Sequence, residues 1–131
     1  MPELEEILYC SLLAADQPTH VVGRIVTQAR SRNASAGITG LLVFDGMRFC
    51  EHIEGPAEPL RALWARLQAD PRHTDVRVLH QGNVAARRYQ RFEMGLAEVE
   101  FEDDLAGIAQ LQGGEALQRF LALRPRFDIG G

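Results

Sequence analysis

The sequence predicts one α+β domain, a ferredoxin-like sheet built in the order β-α-β-β-α-β-β, with two helices on one face and a C-terminal helical cap. Three observations predict this fold. Short apolar segments of strand character alternate with two stretches of helical periodicity, and turn residues separate them. Two further helical patterns follow the last strand. The chain of 131 residues has room for one such domain. We place it at residues 1–98, with residues 99–131 as the cap and tail of the same domain.

The first strand is predicted over residues 4–13, which are apolar on both faces, with Tyr9 on one face and Cys10 on the other. A helix is then expected to begin near Pro18, because proline suits the first helical turn. It is predicted to run to about Arg32, since apolar residues recur there at helical spacing.

A hairpin and a second helix come next. Residues 38–45 and 47–54 are predicted as strands, because they flank the dipeptide Asp45-Gly46, which favours a tight turn. Gly55-Pro56 ends the second strand and opens a helix with an apolar stripe. Asp70-Pro71 ends this helix, since the residue before a proline disfavours helical geometry.

Two more strands complete the predicted sheet, over residues 76–84 and 89–99, joined by a turn that contains Arg87 and Arg88. Beyond Phe101 the apolar spacing becomes helical again, which predicts the two helices of the cap.

The tail from Arg124 is predicted to be frayed. The second face of the sheet carries apolar side chains, among them Leu8, Leu41 and Val43, and therefore needs a cover. Either the C-terminal helix pair or a second copy of the chain can supply it, and the apolar face predicts a homo-oligomer.

Composition limits the classes of function. The net charge of -4 and the pI near 5.5 argue against nucleic acid as a partner, since phosphate binding depends on clustered Lys and Arg. No apolar run approaches the roughly 18 residues of a membrane span, and the N-terminus is acidic where a secretory signal is basic. Cys10 and Cys50 form no CxxC or zinc pattern, so we expect reduced cysteines and a cytoplasmic location.

Glu51 departs most clearly from an apolar core. Strand alternation places it on the same face as Phe49 and Ile53, which is expected to be buried. A buried carboxylate must be paired, protonated or hydrogen-bonded. The alternative is that Glu51 lies at a sheet edge and reaches water or an arginine. Tyr9 is a second polar group on an inward face, where a tyrosine hydroxyl ordinarily has a hydrogen-bond partner.

Asn33 lies where the first helix is predicted to end, and helix capping is the simplest interpretation of it. Arg30 and Arg32 near that end, together with Arg66 on the second helix, form a candidate anion site.

No motif indicates an enzyme. His52 and Glu54 share a strand face but have no third metal ligand at a suitable spacing. The chain has no nucleophile turn and no glycine-rich phosphate loop, so a hydrolase on this fold is poorly supported.

Six short motifs occur in order between about Leu4 and Leu96, and together they resemble BLUF domains (sensors of blue light using FAD), with the last helices similar to the cap of short BLUF proteins. They are Ile7-Leu8-Tyr9-Cys10-Ser11, Ser31-Arg32-Asn33, Gly37-Ile38-Thr39-Gly40-Leu41-Leu42, Arg48-Phe49-Cys50-Glu51-His52-Ile53-Glu54-Gly55-Pro56, Asp70-Pro71-Arg72-His73, and Arg87-Arg88-Tyr89 with Phe92-Glu93-Met94-Gly95.

The resemblance implies an FAD held noncovalently between the two long helices, with its ring directed at the sheet. By position, Asn33 would hydrogen-bond the N3/O4 edge of the ring. Arg66 and Asp70 would approach the O2 side, and Ile25 would pack on the ring.

The resemblance also implies roles for the remaining motif residues. Arg30 and Arg32 would neutralise or orient the ribityl-phosphate portion. Tyr9 would donate the electron to the excited flavin, and Met94 would carry the signal from the ring toward the last strand and the cap. Such a photoreceptor has no catalytic turnover, and it acts through a partner protein in trans or through self-assembly.

Glu51 stands where the family has the glutamine that rearranges its hydrogen bonds after illumination. A glutamine amide has both a donor and an acceptor, whereas an ionised glutamate only accepts. A protonated carboxyl again has both, so we hypothesise that Glu51 is neutral in the dark state and keeps a modified switch. The alternative is a photochemically impaired flavin-binding or interaction module. Phe92 also departs from the family, which often has tryptophan at this position.

Overall fold

The computed structural model describes residues 3–18, 21–96, 102–124 and 128–130. In these ranges the chain forms six strands and four helices. They are β1 (Leu4–Leu13), α1 (Val21–Ala36), β2 (Thr39–Phe44), β3 (Arg48–Pro56), α2 (Ala57–Ala69), β4 (His73–Val84), β5 (Phe92–Leu96), α3 (Glu102–Ala109), α4 (Gly114–Leu123) and β6 (Asp128–Gly130).

The strands form a single sheet in the order β4-β1-β3-β2-β5-β6. β2 and β5 pair in parallel, and the other neighbouring strands are antiparallel. The fold is therefore the predicted ferredoxin-like α+β sheet with a C-terminal cap. β3 lies in the interior of the sheet between β1 and β2, and its residues 49–55 are buried because helices pack on both faces of the sheet.

Each face of the sheet carries its own apolar core. On one face, Ile7, Leu42 and Ile53 pack with residues of α1 and α2. On the other face, Leu8 and Leu41 pack with residues of α3 and α4. The C-terminal helix pair, the first of the two alternatives, therefore covers the second face. None of the described helices is long and apolar enough to cross a membrane.

The end of α1 differs from the prediction. The helix continues four residues beyond Arg32, and Gly37 ends it with a φ of 72°, a conformation that glycine adopts without strain. The backbone carbonyl of Asn33 accepts a hydrogen bond from Ile38 N at 2.9 Å, but its side chain lies within the helix and is buried. The capping interpretation of Asn33 is therefore wrong.

The C-terminal part of the sheet also differs from the prediction. The last predicted strand begins only at Phe92, and its predicted end at 97–99 lies outside the described residues. The tail predicted to be frayed contributes β6, which pairs with β5 through Met94, Gly95 and Leu96. Pairing satisfies backbone groups that an edge strand would leave open.

The two cysteines form a disulfide, contrary to the reduced cysteines expected from their spacing. Cys10 and Cys50 lie directly opposite each other in the register of β1 and β3, with their Cα atoms 4.3 Å apart. This separation is compatible with a bridge, although 40 residues separate them in sequence. Strand register, which a CxxC search does not detect, brings them together.

Gly40 permits the close approach of β2 to β3. A Cβ atom at this position would lie 2.2 Å from the backbone oxygen of His52, in the middle of a buried sheet. We expect Gly40→Ala to destabilise the domain by about 2 kcal/mol or more, because backbone must move to relieve the overlap. Urea unfolding measures the difference. Gly23→Ala is the matched control, since outside its own helical turn no atom of the described residues lies within 4 Å of a Cβ there, and equal stability of the two variants would contradict the expectation.

Candidate functional site

A cavity lies between α1, α2 and the face of the sheet that they cover. The space inside it measures about 30 Å3. Apolar atoms form most of its wall surface, although polar residues slightly outnumber apolar ones along it. The apolar residues are Ile25, Ala29, Leu42, Phe49, Leu63 and Leu67, and the polar residues are Tyr9, Arg32, Asn33, Glu51, Asp70, Arg72 and His73.

Tyr9 and Glu51 form the floor of the cavity. They are directly opposed in the register of β1 and β3, and the Tyr9 hydroxyl donates a hydrogen bond to Glu51 Oε1. Tyr9 is 2% exposed and Glu51 4% exposed, so the edge position considered for Glu51 does not occur. The indole of Trp64 packs against the Tyr9 ring at a centroid distance of 5.2 Å. The neighbouring strands and α2 thus fix the tyrosine–carboxyl pair beneath the cavity.

Burial changes the acidity of both groups. It raises the pKa of Glu51 from its ordinary 4.5 to about 7, although the hydrogen bond from Tyr9 and the positive charge of Arg32 both oppose the rise. Burial also raises the pKa of Tyr9 well above its ordinary value, and the neighbouring Glu51 adds to this effect. Near neutral pH, Glu51 can therefore carry a proton while Tyr9 keeps its own.

Two buried polar atoms of α1, Asn33 Oδ1 and Arg32 Nε, have no hydrogen-bond partner among the residues that the structure describes. Both residues line the cavity. One atom is an acceptor and the other a donor, and buried groups of this kind are normally satisfied. A planar ring whose polar edge alternates N–H and C=O groups would satisfy both, and its faces would contact the apolar wall. The flavin ring of FAD has such an edge, so the residues present fit this cofactor.

One end of the cavity is held by an ion pair. Arg72 Nη2 lies 2.6 Å from Asp70 Oδ2, and Arg72 Nη1 donates to Gln28 Oε1 at 3.0 Å, which links the end of α2 to α1. Burial tends to raise the pKa of Asp70, but the hydrogen bonds and charge of Arg72 outweigh it and hold that pKa below its ordinary value. The His73 ring contacts Ser11 and the Leu67 carbonyl. This end is therefore pre-ordered without a ligand.

The structure brings together six of the nine residues predicted for the site. These are Tyr9, Ile25, Arg32, Asn33, Glu51 and Asp70.

The other three predicted residues lie elsewhere. Arg66 lies in an adjoining groove with Arg32 and Asp70. Arg30 lines a separate groove on another side of α1. The Met94 backbone pairs with Leu42 in the sheet, but its side chain lies outside the described residues.

Sequence reasoning missed several wall residues of the cavity. Phe49 and Leu63 were recognisable as core positions from strand and helix periodicity, but periodicity does not distinguish a core from a ligand cavity. Arg72 and His73 belong to the motif Asp70-Pro71-Arg72-His73. Their contacts depend on how the α2–β4 connection folds back over the cavity.

A second polar cluster, with buried Glu6 and His52 at its centre, lies on the opposite face of the sheet. We call Glu6, His52, His80 and Arg88 the Glu6 cluster. Glu6 Oε1 lies 2.7 Å from His52 Nε2 and 2.8 Å from Arg88 Nη1, and Glu6 Oε2 lies 3.1 Å from His80 Nε2. Burial raises the pKa of Glu6, but its hydrogen bonds and these positive partners outweigh burial and lower it.

The Glu6 cluster connects to the cap. His52 Nδ1 lies 2.8 Å from the Tyr89 hydroxyl, the Phe120 ring packs edge-on against His52, and the Arg124 guanidinium lies 4.7 Å from the Tyr89 ring centroid. Among the described residues no group of three or more His, Cys, Asp or Glu side chains has a geometry that could hold a metal ion. Hydrogen bonds to Glu6 hold the cluster together.

The fold and the cavity together define an α+β domain with a cavity between two helices and a sheet, whose unpartnered polar atoms suit a planar ligand with a polar edge. Residues 4–95 match the family described as sensors of blue-light using FAD, and the chain belongs to this BLUF family. The family senses blue light and binds flavin, and its known members include light-regulated proteins.

Three relatives illustrate the relationship. The blue light- and temperature-regulated antirepressor BluF of Escherichia coli K12 is 29% identical over 76% of this chain and 25% of its own length. The photoactivated adenylate cyclase subunit beta of Euglena gracilis is 38% identical over 50% of this chain and 8% of its own length. The dark-state structure of the BLUF protein BlrB matches with a TM-score of 0.69 and 28% identity, covering 94% of this chain and 86% of BlrB. The chain thus spans a quarter or less of both curated relatives.

Proposed function

We propose that this chain is a blue-light photoreceptor that holds FAD noncovalently in the cavity between α1 and α2 and signals by rearranging hydrogen bonds around the flavin ring. The observation that carries the proposal is the hydrogen bond between Tyr9 and Glu51 at the floor of the cavity. This hydrogen bond supports a role for Tyr9 as the proton and electron donor beneath the ring. It also supports a role for Glu51 as the neighbouring group that can reverse its hydrogen bonds.

Each polar residue has a defined part in this proposal. Asn33 Oδ1 and Arg32 Nε, which lack protein partners, bind the polar edge of the ring. Asp70 and Arg72 keep the adjoining end of the cavity closed and ordered. The bound flavin supplies the absorption of blue light and accepts an electron and a proton.

Glu51 replaces the family glutamine when it carries a proton. The oxygen Oε1 accepts the hydrogen bond from Tyr9, and the protonated Oε2 then offers a donor toward the ring. A carboxyl group in this state has one donor and one acceptor, as an amide does. Rotation of the carboxyl exchanges the two, so the switch needs no change in the backbone.

The chain itself is proposed to catalyse no turnover, because the relatives named as enzymes are much longer than the segment shared with this chain. We propose that the signal passes to a downstream effector protein or through self-association. The reason for expecting a homo-oligomer is weakened, since α3 and α4 cover the apolar face. Light scattering after gel filtration, in the dark and under blue light, distinguishes a monomer from an oligomer.

A cytoplasmic location is also proposed, and the disulfide between Cys10 and Cys50 is the observation that opposes it. In a reducing compartment Cys10 and Cys50 would be thiols. Trapping of free thiols during cell lysis measures the state of this pair in the cell. Full protection of both cysteines would argue against a cytoplasmic location.

The deciding experiment is the absorption spectrum of the purified protein in the dark and under blue light. We expect a bound flavin whose bands shift reversibly to longer wavelength. A bound flavin without a shift would favour the impaired module and would locate the loss at Glu51. A protein that takes up no added FAD would contradict the proposal altogether.

A further inference from the structure

Arg32 provides a positive charge in the cavity wall that the fold alone does not explain. It lies on α1 next to Asn33 and lines the cavity together with Tyr9 and Glu51, and its Nε is buried with no hydrogen-bond partner in the described part of the chain. An unpartnered buried donor on a cation is costly, because it gives up water and gains nothing in return. An acceptor or anion inside the cavity would satisfy this donor.

The other charged groups of the cavity are already engaged. Asp70 pairs with Arg72 at 2.6 Å, and the His73 ring contacts Ser11 and the Leu67 carbonyl. The ionisable groups that line the cavity around Glu51, taken over all packed elements, are Tyr9 from β1, Arg32 from α1, Asp70 and Arg72 from the α2–β4 connection, and His73 from β4. Once these contacts are taken into account, Arg32 and Glu51 are the two groups of opposite charge left in this set.

We propose that Arg32 is a positioning residue that acts as the counter-charge of Glu51 and so sets the charge that the floor of the cavity presents to the flavin. This inference rests on the proposed function, and it names the residue that regulates the site. Arg32 thereby has a role at the ring end, whereas the sequence alone suggested one at the phosphate end.

The counter-charge has opposite consequences for the two states of Glu51. When Glu51 is ionised, Arg32 neutralises it and the floor has no net charge. When Glu51 is protonated, the positive charge of Arg32 is left to stabilise the negative charge that the ring gains with an electron. The positive charge of Arg32 lowers the pKa of Glu51 against the larger effect of burial. The charge of Arg32 thus determines how much of the protein is in the switching form near neutral pH.

The test is an infrared titration of the Glu51 carboxyl stretch, assigned by its loss in Glu51→Gln. In Arg32→Gln we expect the titration midpoint to rise by about one pH unit or more, because an opposite charge nearby lowers a carboxyl pKa by about one to three units. Arg32→Lys keeps the charge and should restore the midpoint. Arg30→Gln is the matched control, since Arg30 lies on the same helix but lines a different groove.

An unchanged midpoint in Arg32→Gln, or a midpoint in Arg32→Lys equal to that of Arg32→Gln, would overturn the proposal. A shift of the same size in Arg30→Gln would also overturn it, because it would show a general charge effect. The titration is made with and without FAD. A protein that binds no flavin therefore contradicts the proposed function while the flavin-free titration still tests Arg32.

Discussion

Tyr9→Phe is expected to bind FAD and to show no light-induced red shift. The substitution keeps the ring that packs on Trp64 but removes the hydroxyl that donates to Glu51. Without this hydroxyl no proton can pass to the carboxyl and ring, so illumination leaves the hydrogen bonds around the ring unchanged. We expect the Kd for FAD to change by less than about tenfold, since one neutral hydrogen bond contributes about 1 kcal/mol. Difference spectra recorded before and after a blue flash measure the shift.

The second tyrosine of the chain provides the matched control. Tyr89 is also buried and hydrogen-bonded, but it contacts His52 on the opposite face of the sheet. Tyr89→Phe should therefore keep the red shift. A full shift in Tyr9→Phe, or its loss in both variants, would contradict the role assigned to Tyr9.

Glu51→Gln is expected to raise the free energy of unfolding by about 3 kcal/mol at pH 8 and by about 1 kcal/mol at pH 5. The pKa of Glu51 is raised from 4.5 to about 7 in the folded state. A group of this kind contributes its full stability below the unfolded pKa, and the contribution is lost as the pH rises through the folded pKa. At pH 8 the folded wild type must hold a buried carboxylate, whereas glutamine remains neutral.

Thermal or urea unfolding of the flavin-free proteins across this pH range measures the effect. Glu58→Gln is the control, because Glu58 is exposed on α2 and its substitution should give a small difference at every pH. The interpretation fails if the stability gap between wild type and Glu51→Gln is the same at pH 5 and pH 8.

Strand periodicity predicted most of what positions the site. The alternation of β3 placed Glu51 on a buried face with Phe49 and Ile53, and the structure confirms this burial. Periodicity succeeds here because a strand has two faces and a one-residue error would expose the whole apolar set. Periodicity does not show which side chains of different strands and helices are neighbours. The contact of Tyr9 with Glu51 follows from the register of β1 and β3, which the sequence does not state.

The errors have physical causes of the same kind. Asn33 looked like a helix cap because asparagine favours that position, but tertiary packing extends α1 to the glycine that follows. The three residues of β6 are too few to show a period, and their pairing depends on the open edge of β5. The disulfide between Cys10 and Cys50 likewise depends on long-range register. Local sequence patterns predict individual helices and strands. These three features depend on how the helices and strands pack against one another.

The Glu6 cluster links β3 to the cap, because the Phe120 ring of α4 packs edge-on against His52. Glu51 and His52 are consecutive in β3, so one strand offers a hydrogen-bonding group to the cavity on one side and to the cluster on the other. A purely apolar interface tolerates gradual sliding, since hydrophobic contact has no direction, but hydrogen bonds weaken steeply when their angles change. A shift of β3 is therefore expected to break hydrogen bonds within the Glu6 cluster before it disturbs the packing of the Phe120 ring against His52.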